Sequence, residues 1–524
     1  MRAAASRRHY PPPVSERGLP STRAPLWGRF APLSPRRWQV LLVVVLVGAL
    51  GSIVRLHMLF DPDPLFYGVY DDGVHFSAAV NLVHGNLPYR DVLFLQPPGL
   101  LLAVAPFALL ANWIGDANAF IDARVVFALI GGLNGALIAL VLRRFGLSAM
   151  VVGGFLYAVS FAAAYDERTV TLEVIGATGV LSSLLLLDVA DRHPARRWIV
   201  LAGVAAGVSI DFKIWYLVPA VVLAVVARRR VGWFVLGAAA AVVAVYLPFF
   251  AAAPAKMWRD VVRAQLGRPL STGNPTNVRL SSMLGIAPDD STGDVFALLG
   301  PTVLTVVLVL VGVLALAALT VRGGRRYVVL MLACGLLLVY SPSYFQHYAQ
   351  YAAGPLALVG GVGAVQLGER VRRYRRPILV LSVAAALLLQ LSVSLREVVD
   401  IANQKVVSVA AMRAASARIP GCIVTDDPTF LILMDRLTPE IRNGCVVRSD
   451  PSGYGYVLVP AGGKQVFRPD NPRWQRSAMA YLRRADAYVL TRGKVFGLTP
   501  SNEAEVRRDR VLEEVGRFSF RTGR

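Results

Sequence analysis

The chain has 524 residues, 55% of them hydrophobic, with a mean hydropathy of +0.53 and a formal net charge of +22. Its apolar residues come in uninterrupted runs near the roughly 20 residues that a bilayer-crossing helix needs, which excludes an ordinary soluble multidomain protein. The basic residues sit in short stretches between those runs rather than in a stripe with interleaved aromatics, which excludes a nucleic-acid-binding surface.

Residues 1–37 are rich in Arg and Pro. They read as a disordered cytoplasmic tail, too long before the first apolar run to be a cleaved signal peptide. Apolar runs at 38–57, 122–142, 147–163, 170–188, 198–211, 214–227, 231–250, 296–320, 326–340, 350–367 and 377–394 predict eleven crossings of a transmembrane region 38–394. A further run at 98–111 is short for a crossing and reads as an interfacial or re-entrant helix. With that run kept out of the count and the N-terminus inside, five basic stretches face the cytoplasm together. They are Arg143-Arg144, Asp191 to Arg197, Arg228 to Arg230, Arg322 to Arg326 and Glu369 to Arg376.

The same topology collects the unusual polar residues outside. The outer loop 58–121 contains Val69 to Pro98, with Asp71, Asp72 and Asp91 among His75, His84 and Arg90. Adjacent carboxylates perturb each other's proton affinity and make a usable acid/base pair. The alternative is a cap, with Asp71 or Asp72 at the N-terminus of a helix whose body is Ser77 to Val83. Also outside are Arg124, Asp166, Glu167, Arg168, Glu173, Asp211 and Lys213, each of which has an alternative reading as a helix-end charge that snorkels to water. The long loop Ala251 to Val295 carries Arg259, Arg263, Arg268 and Arg279, cations suited to an anionic lipid head group or an acceptor. The aromatic stretch Ser341 to Tyr351 completes the set. No internal repeat is evident, which weakens a transporter built from inverted halves.

Of three cysteines, Cys334 lies in an apolar run, while Cys422 and Cys445 lie in the polar C-terminal part and are placed to pair if that part is extracytoplasmic. No CxxC or Cys/His spacing points to zinc. Residues 395–524 are long enough for one domain. Cys422 to Thr425 and Ala485 to Leu490 read as strands, Thr429 to Arg436 as a short helix, and Val511 to Phe520 as the close of a sheet. This predicts a small extracytoplasmic α/β domain.

The outer motifs resemble the GT-C superfamily of membrane glycosyltransferases, in particular its protein O-mannosyltransferase and aminoarabinose-transferase branch. The resemblance runs through Asp71-Asp72, VHF at Val74 to Phe76, GNLPYRD at Gly85 to Asp91 and Pro97-Pro98. It continues in Arg124 of DARVVF, Arg168 and Glu173 of RTVTLEV, Lys213 of DFKIWY and SYFQHYAQYAAGP at Ser343 to Pro355, covering roughly residues 38–370. It implies an all-α polytopic membrane protein of GT-C type and inverting transfer of a sugar, as in a mannosyltransferase, from polyprenyl phosphate to a glycan, lipid or protein acceptor. The family's Asp-Glu is Asp-Asp here, and the extra Gly73 leaves either Asp71 or Asp72 as the general base. Arg124 and Lys213 are expected to hold the donor phosphate. His75, Tyr89, Asp91, Arg168, Glu173, His347 and Tyr348 are expected around the substrates. The acidic groups offer room for a divalent cation, but no ligand spacing demands one. The competing readings are a polytopic transporter or lipid flippase, which would place ionisable residues at mid-membrane, and a non-catalytic assembly or sensor protein.

Overall fold

A computed structural model describes residues 37–60, 65, 68–270, 274–286, 294–370, 377, 408–460 and 463–523. The expected tail before Arg37, and the expected eleventh span at 377–394 beyond Pro377, lie outside the described residues. What is described is mostly helical, with a small C-terminal sheet, and it is a multi-pass membrane protein.

The membrane part comprises α1 (Arg37–Phe60), α2 (Tyr70–Val83), α3 (Gly99–Ile114), α4 (Asp116–Leu142), α5 (Leu147–Ala158), α6 (Phe161–Glu167), α7 (Leu172–Arg192), α8 (Arg196–Phe212), α9 (Leu217–Ala227) and α10 (Val231–Ala252). It continues with α11 (Pro254–Trp258), α12 (Ala264–Leu266), α13 (Thr276–Met283), α14 (Asp294–Leu319), α15 (Arg322–Tyr340) and α16 (Gln350–Arg370). By length and composition alone, 7 stretches among the described residues suffice to cross a membrane, and α5 with α6, bent by 55°, makes up to 8. The bend falls where Ser160 restarts the helix, its side chain accepting from the Ala163 amide.

One of those stretches, Ile214–Ala252, is two limbs rather than one. Gly203 and Gly207 of α8 are so close to α10 that a Cβ would stand 2.0 Å from the Phe234 carbonyl oxygen and 2.5 Å from that of Ala238. The pairs 203/234 and 207/238 ascend together, so α8 and α10 run parallel, their backbones brought close by small residues. The intervening α9 must therefore run back. Its turn is at Arg228 (φ 53°), where Arg230 donates to the Ala190 carbonyl and pairs with Asp191. At the same end Arg144 and Arg326 share Asp188. The basic loops thus gather at one end of the bundle.

The opposite end holds the polar outer segments. Both ends of α3 lie there: Gly99 against the end of α8 at Asp211, and Gly115 against Asp435 of the C-terminal part. At 16 residues, α3 is about 24 Å long, short of a roughly 30 Å hydrocarbon core. It runs along this end of the bundle. Gly115 (φ 88°) supplies the left-handed turn into α4, whose Asp116 accepts from the amide and hydroxyl of Thr438.

The C-terminal sheet has the order β1-β2-β4-β3 from β1 (Ile423–Thr425), β2 (Ala487–Val489), β3 (Arg510–Val515) and β4 (Phe518–Thr522). β1 and β2 are parallel, and the rest pair antiparallel. Cys422 and Cys445 are joined, clipping the start of β1 to the loop after Leu437–Arg442. Asp426 closes the far end of β1, accepting from the Thr491 amide and hydroxyl and the Arg492 amide. One apolar core runs from Phe76 and Phe120 through Leu431 and Ile432 to Phe520. The sheet region is therefore seated on α2 and α4.

Candidate active site

The site forms around α2. The helix begins at Tyr70, with Val69 extended at the cap position and no side-chain cap. This corrects the capping alternative: Asp71 and Asp72 already belong to the first turn, where the helix dipole favours carboxylates. Successive residues on a helix point about 100° apart, and here that separates the pair. Asp72 is fully buried: it accepts from Arg124 Nε (2.9 Å) and Nη2 (2.5 Å) and from the Val170 amide (2.9 Å). Asp71 keeps 30% of its side chain exposed, with Oδ2 3.4 Å from His347 Nε2. Burial pushes its carboxyl up. His347, by hydrogen bond and charge, with His75 and Arg268 behind it, outweighs that and holds it well below the usual carboxylate range. At neutral pH Asp71 is ionised and its oxygens are not saturated.

His347→Gln removes the charge that lowers the Asp71 carboxyl and leaves the burial that raises it. The acid limb of the kcat/KM profile is expected to move to higher pH. A pH profile of purified enzyme reads the shift, and an unmoved limb would show that His347 does not act on Asp71.

The two cations expected at a phosphate are already committed. Arg124 is buried against Asp72, and its guanidinium stands 4.1 Å from the centre of the Phe120 ring. Lys213 is ion-paired with buried Glu173 and lies over the Trp215 and Tyr348 rings at 4.4 Å and 3.6 Å. A side chain buried against its own counter-ion already has its charge matched, and drawing it to an incoming anion would leave the buried partner uncompensated. The cation that faces the site is Arg268. Its Nη1 donates to Ser343 Oγ (3.1 Å) and Tyr348 OH (3.5 Å), and its guanidinium lies 4.6 Å from the centre of the Tyr456 ring. Its Nε is buried without a partner, and among the described residues no carboxylate pairs with it. In the sequence it is one of four arginines in its loop. Two of the others are spent, Arg259 on Asp260 and Arg279 on the carbonyls of Leu338, Val339 and Ser341 that end α15.

The remaining expected residues divide. His347 and Tyr348 are at Asp71 and Arg268. His75 lies one helical turn after Asp71, its Nδ1 2.7 Å from the Val170 carbonyl, and burial pushes its imidazole down toward the neutral form. Three others make contacts within the scaffold. Tyr89 (φ 66°) is buried and donates to the Gln96 carbonyl. Asp91 closes its own turn by accepting from the Leu87 amide and pairing with Arg90. Arg168 donates to the Met58 carbonyl. Sequence reading missed the buried network beneath the site, in which Glu167 accepts from Arg55, Asn134, Tyr157 and Gln350. Among the described residues, the one group of three potential metal ligands within mutual reach is Cys422, Glu440 and Cys445, and its two sulfurs are bonded to each other.

The model of glycosyltransferase family 87 matches residues 94–342, a stretch that contains Lys213 and Arg268 and begins after Asp71. No curated protein matches the chain. Among solved structures, ArnT from Cupriavidus metallidurans bound to undecaprenyl phosphate superposes with a TM-score of 0.57 at 14% identity, covering 93% of this chain and 98% of its own. The oligosaccharyltransferase AglB from Archaeoglobus fulgidus, in complex with an inhibitory peptide and a dolichol-phosphate, gives 0.54 at 13% identity, covering 87% of this chain and 69% of its own. The chain has the GT-C fold that its outer motifs implied.

Proposed function

We propose that the protein is an integral-membrane glycosyltransferase that moves a hexose or pentose, such as mannose, from a polyprenyl phosphate to a hydroxyl of a glycan, lipid or protein acceptor. The observation that carries this reading is the juxtaposition of Asp71, an ionised and accessible carboxylate, with Arg268, which forms no ion pair among the described residues. Asp71 takes the proton of the acceptor hydroxyl as its oxygen attacks the anomeric carbon. The bond from that carbon to the phosphate oxygen breaks, and the electron pair leaves with the phosphate. Arg268, with the Tyr348 hydroxyl beside it, meets the charge that develops there. Attack from the face opposite the leaving phosphate inverts the anomeric centre. His347 holds Asp71 ionised, and the aromatic groups of Tyr344, Phe345, Tyr348 and Trp215, in mutual edge contacts, wall the cleft.

The polyprenyl class of donor is supported by the two lipid phosphates in the ArnT and AglB structures and by a site at the bundle end, where a lipid-borne phosphate arrives with its tail in the bilayer. The site lies at the end away from the basic loops, so the reading places it, with the C-terminal sheet, outside the cytoplasm and the N-terminus inside. Reconstituted protein supplied with radiolabelled sugar on polyprenyl phosphate tests the proposal. Transfer is expected from the wild-type protein, and Arg268→Ala is expected to lower donor turnover by about 10²–10³. Wild-type protein that leaves every polyprenyl-phosphate sugar untouched would sink the reading.

A further inference from the structure

The segment Ser449 to Tyr456 of the C-terminal sheet region reaches both halves of the site. Asp450 accepts from the Tyr70 hydroxyl (2.8 Å) and from the Gly453 amide (2.7 Å). The Ser452 amide donates back to the Tyr70 hydroxyl (3.1 Å), and Arg492 lies over the Tyr70 ring at 4.0 Å while donating to Ser452 Oγ. Tyr70 is the first residue of α2 and directly precedes Asp71. Four residues past Ser452, the Tyr456 ring covers the Arg268 guanidinium. Tyr454, Tyr456 and Val457 pack on Leu93, Leu95 and Ala264, so one segment binds three separate parts of the outer face together. Its glycines are required by space. A Cβ on Gly453 would stand 1.9 Å from Asp450 Oδ2, and one on Gly455 would stand 2.9 Å from Arg468 Cγ.

We propose that the C-terminal region is the second wall of the active site and that Tyr456 is the positioning residue for Arg268. The inference rests on the reading of Arg268 as the cation at the donor phosphate. An arginine side chain has many rotamers, and its planar fork acts only when its plane is fixed. Ser343 and Tyr348 hold one end of the guanidinium, and the Tyr456 ring fixes its face by cation–π contact. The tie from Asp450 to Tyr70 sets the turn that carries Asp71 at the same time. A C-terminal region that is seated aligns base and cation together.

The test uses full-length protein in vesicles with a polyprenyl-phosphate sugar. Tyr456→Ala is expected to lower kcat/KM for the donor by about 2- to 30-fold, the range of a cation–π contact, with the KM of the acceptor unchanged. Tyr456→Phe keeps the ring face and is expected to behave like wild type. Tyr456→Leu keeps the apolar packing on Leu93 and Leu95 and is expected to lose donor use as Ala does, which separates positioning from folding. In an Arg268→Ala background, Tyr456→Ala is expected to cost nothing further, because coupled residues are not additive. Additive losses, or a Phe variant as impaired as Ala, would overturn the proposal. An impaired Arg268→Ala with a neutral Tyr456→Ala would overturn the positioning alone, whereas a neutral Arg268→Ala would overturn the phosphate role beneath it.

Discussion

Asp71→Asn is expected to lower the turnover of sugar transfer by about 10²–10⁴, the usual loss when a general base is removed, while the protein still inserts and folds. Asn has the size of Asp and still accepts a hydrogen bond from His347, but it takes no proton from an acceptor hydroxyl. The folded state tolerates the change because the Asp71 side chain is 30% exposed and its one ion pair among the described residues is with His347 Nε2 at 3.4 Å. The loss is expected in kcat, with the donor KM near wild type, since Arg268 is untouched and a group needed only as the proton moves acts on the transition state. Single-turnover transfer from a labelled polyprenyl-phosphate sugar measures it. Near-normal turnover in Asp71→Asn would remove the carboxylate from the chemistry.

The membrane architecture was legible because bilayer thickness imposes a run length that hydropathy displays directly. The acidic pair was legible because carboxylates are costly beside apolar segments. What separates Asp71 from Asp72 was not, since it depends on the Val170 amide and Arg124, which stand 98 and 52 residues from Asp72 in sequence. Glu173 and Lys213 were both visible, but their pairing joins positions 40 residues apart. Arg268 was one of four arginines, and what singles it out is Ser343 and Tyr348 from a loop 75 and 80 residues later. Local pattern marked the strands at Ile423–Thr425 and Ala487–Val489 and the closing hairpin. Their seat on α2 left no local mark. Gly73 reads as an extra residue in a degenerate motif, yet a Cβ there would stand 2.1 Å from the Thr429 hydroxyl. The glycine lets Pro428–Leu433 dock against the turn that carries Asp71.

Asp72→Asn is expected to damage stability instead. Arg124 stays protonated at any working pH, and it has no exposed surface at all. Asp72 is the carboxylate that neutralises it, at 2.5 Å. Asn accepts one of the lost hydrogen bonds but carries no charge, so a buried cation loses the carboxylate that stands against it. Removing one partner of such a pair costs about 3–5 kcal/mol, a large part of the stability of any domain. The Val170 loop would loosen as well, since Asp72 also holds that amide. Thermal unfolding of detergent-purified protein is expected to show a lower midpoint for Asp72→Asn and an unchanged one for Asp71→Asn. Per folded molecule, Asp72→Asn is expected to keep more turnover than Asp71→Asn. Adding Arg124→Met removes the buried charge with little change in side-chain length and is expected to recover part of the lost stability, as coupled partners do. An Asp72→Asn protein with wild-type stability and no turnover would exchange the two roles, making Asp72 the base and Asp71 its neighbour.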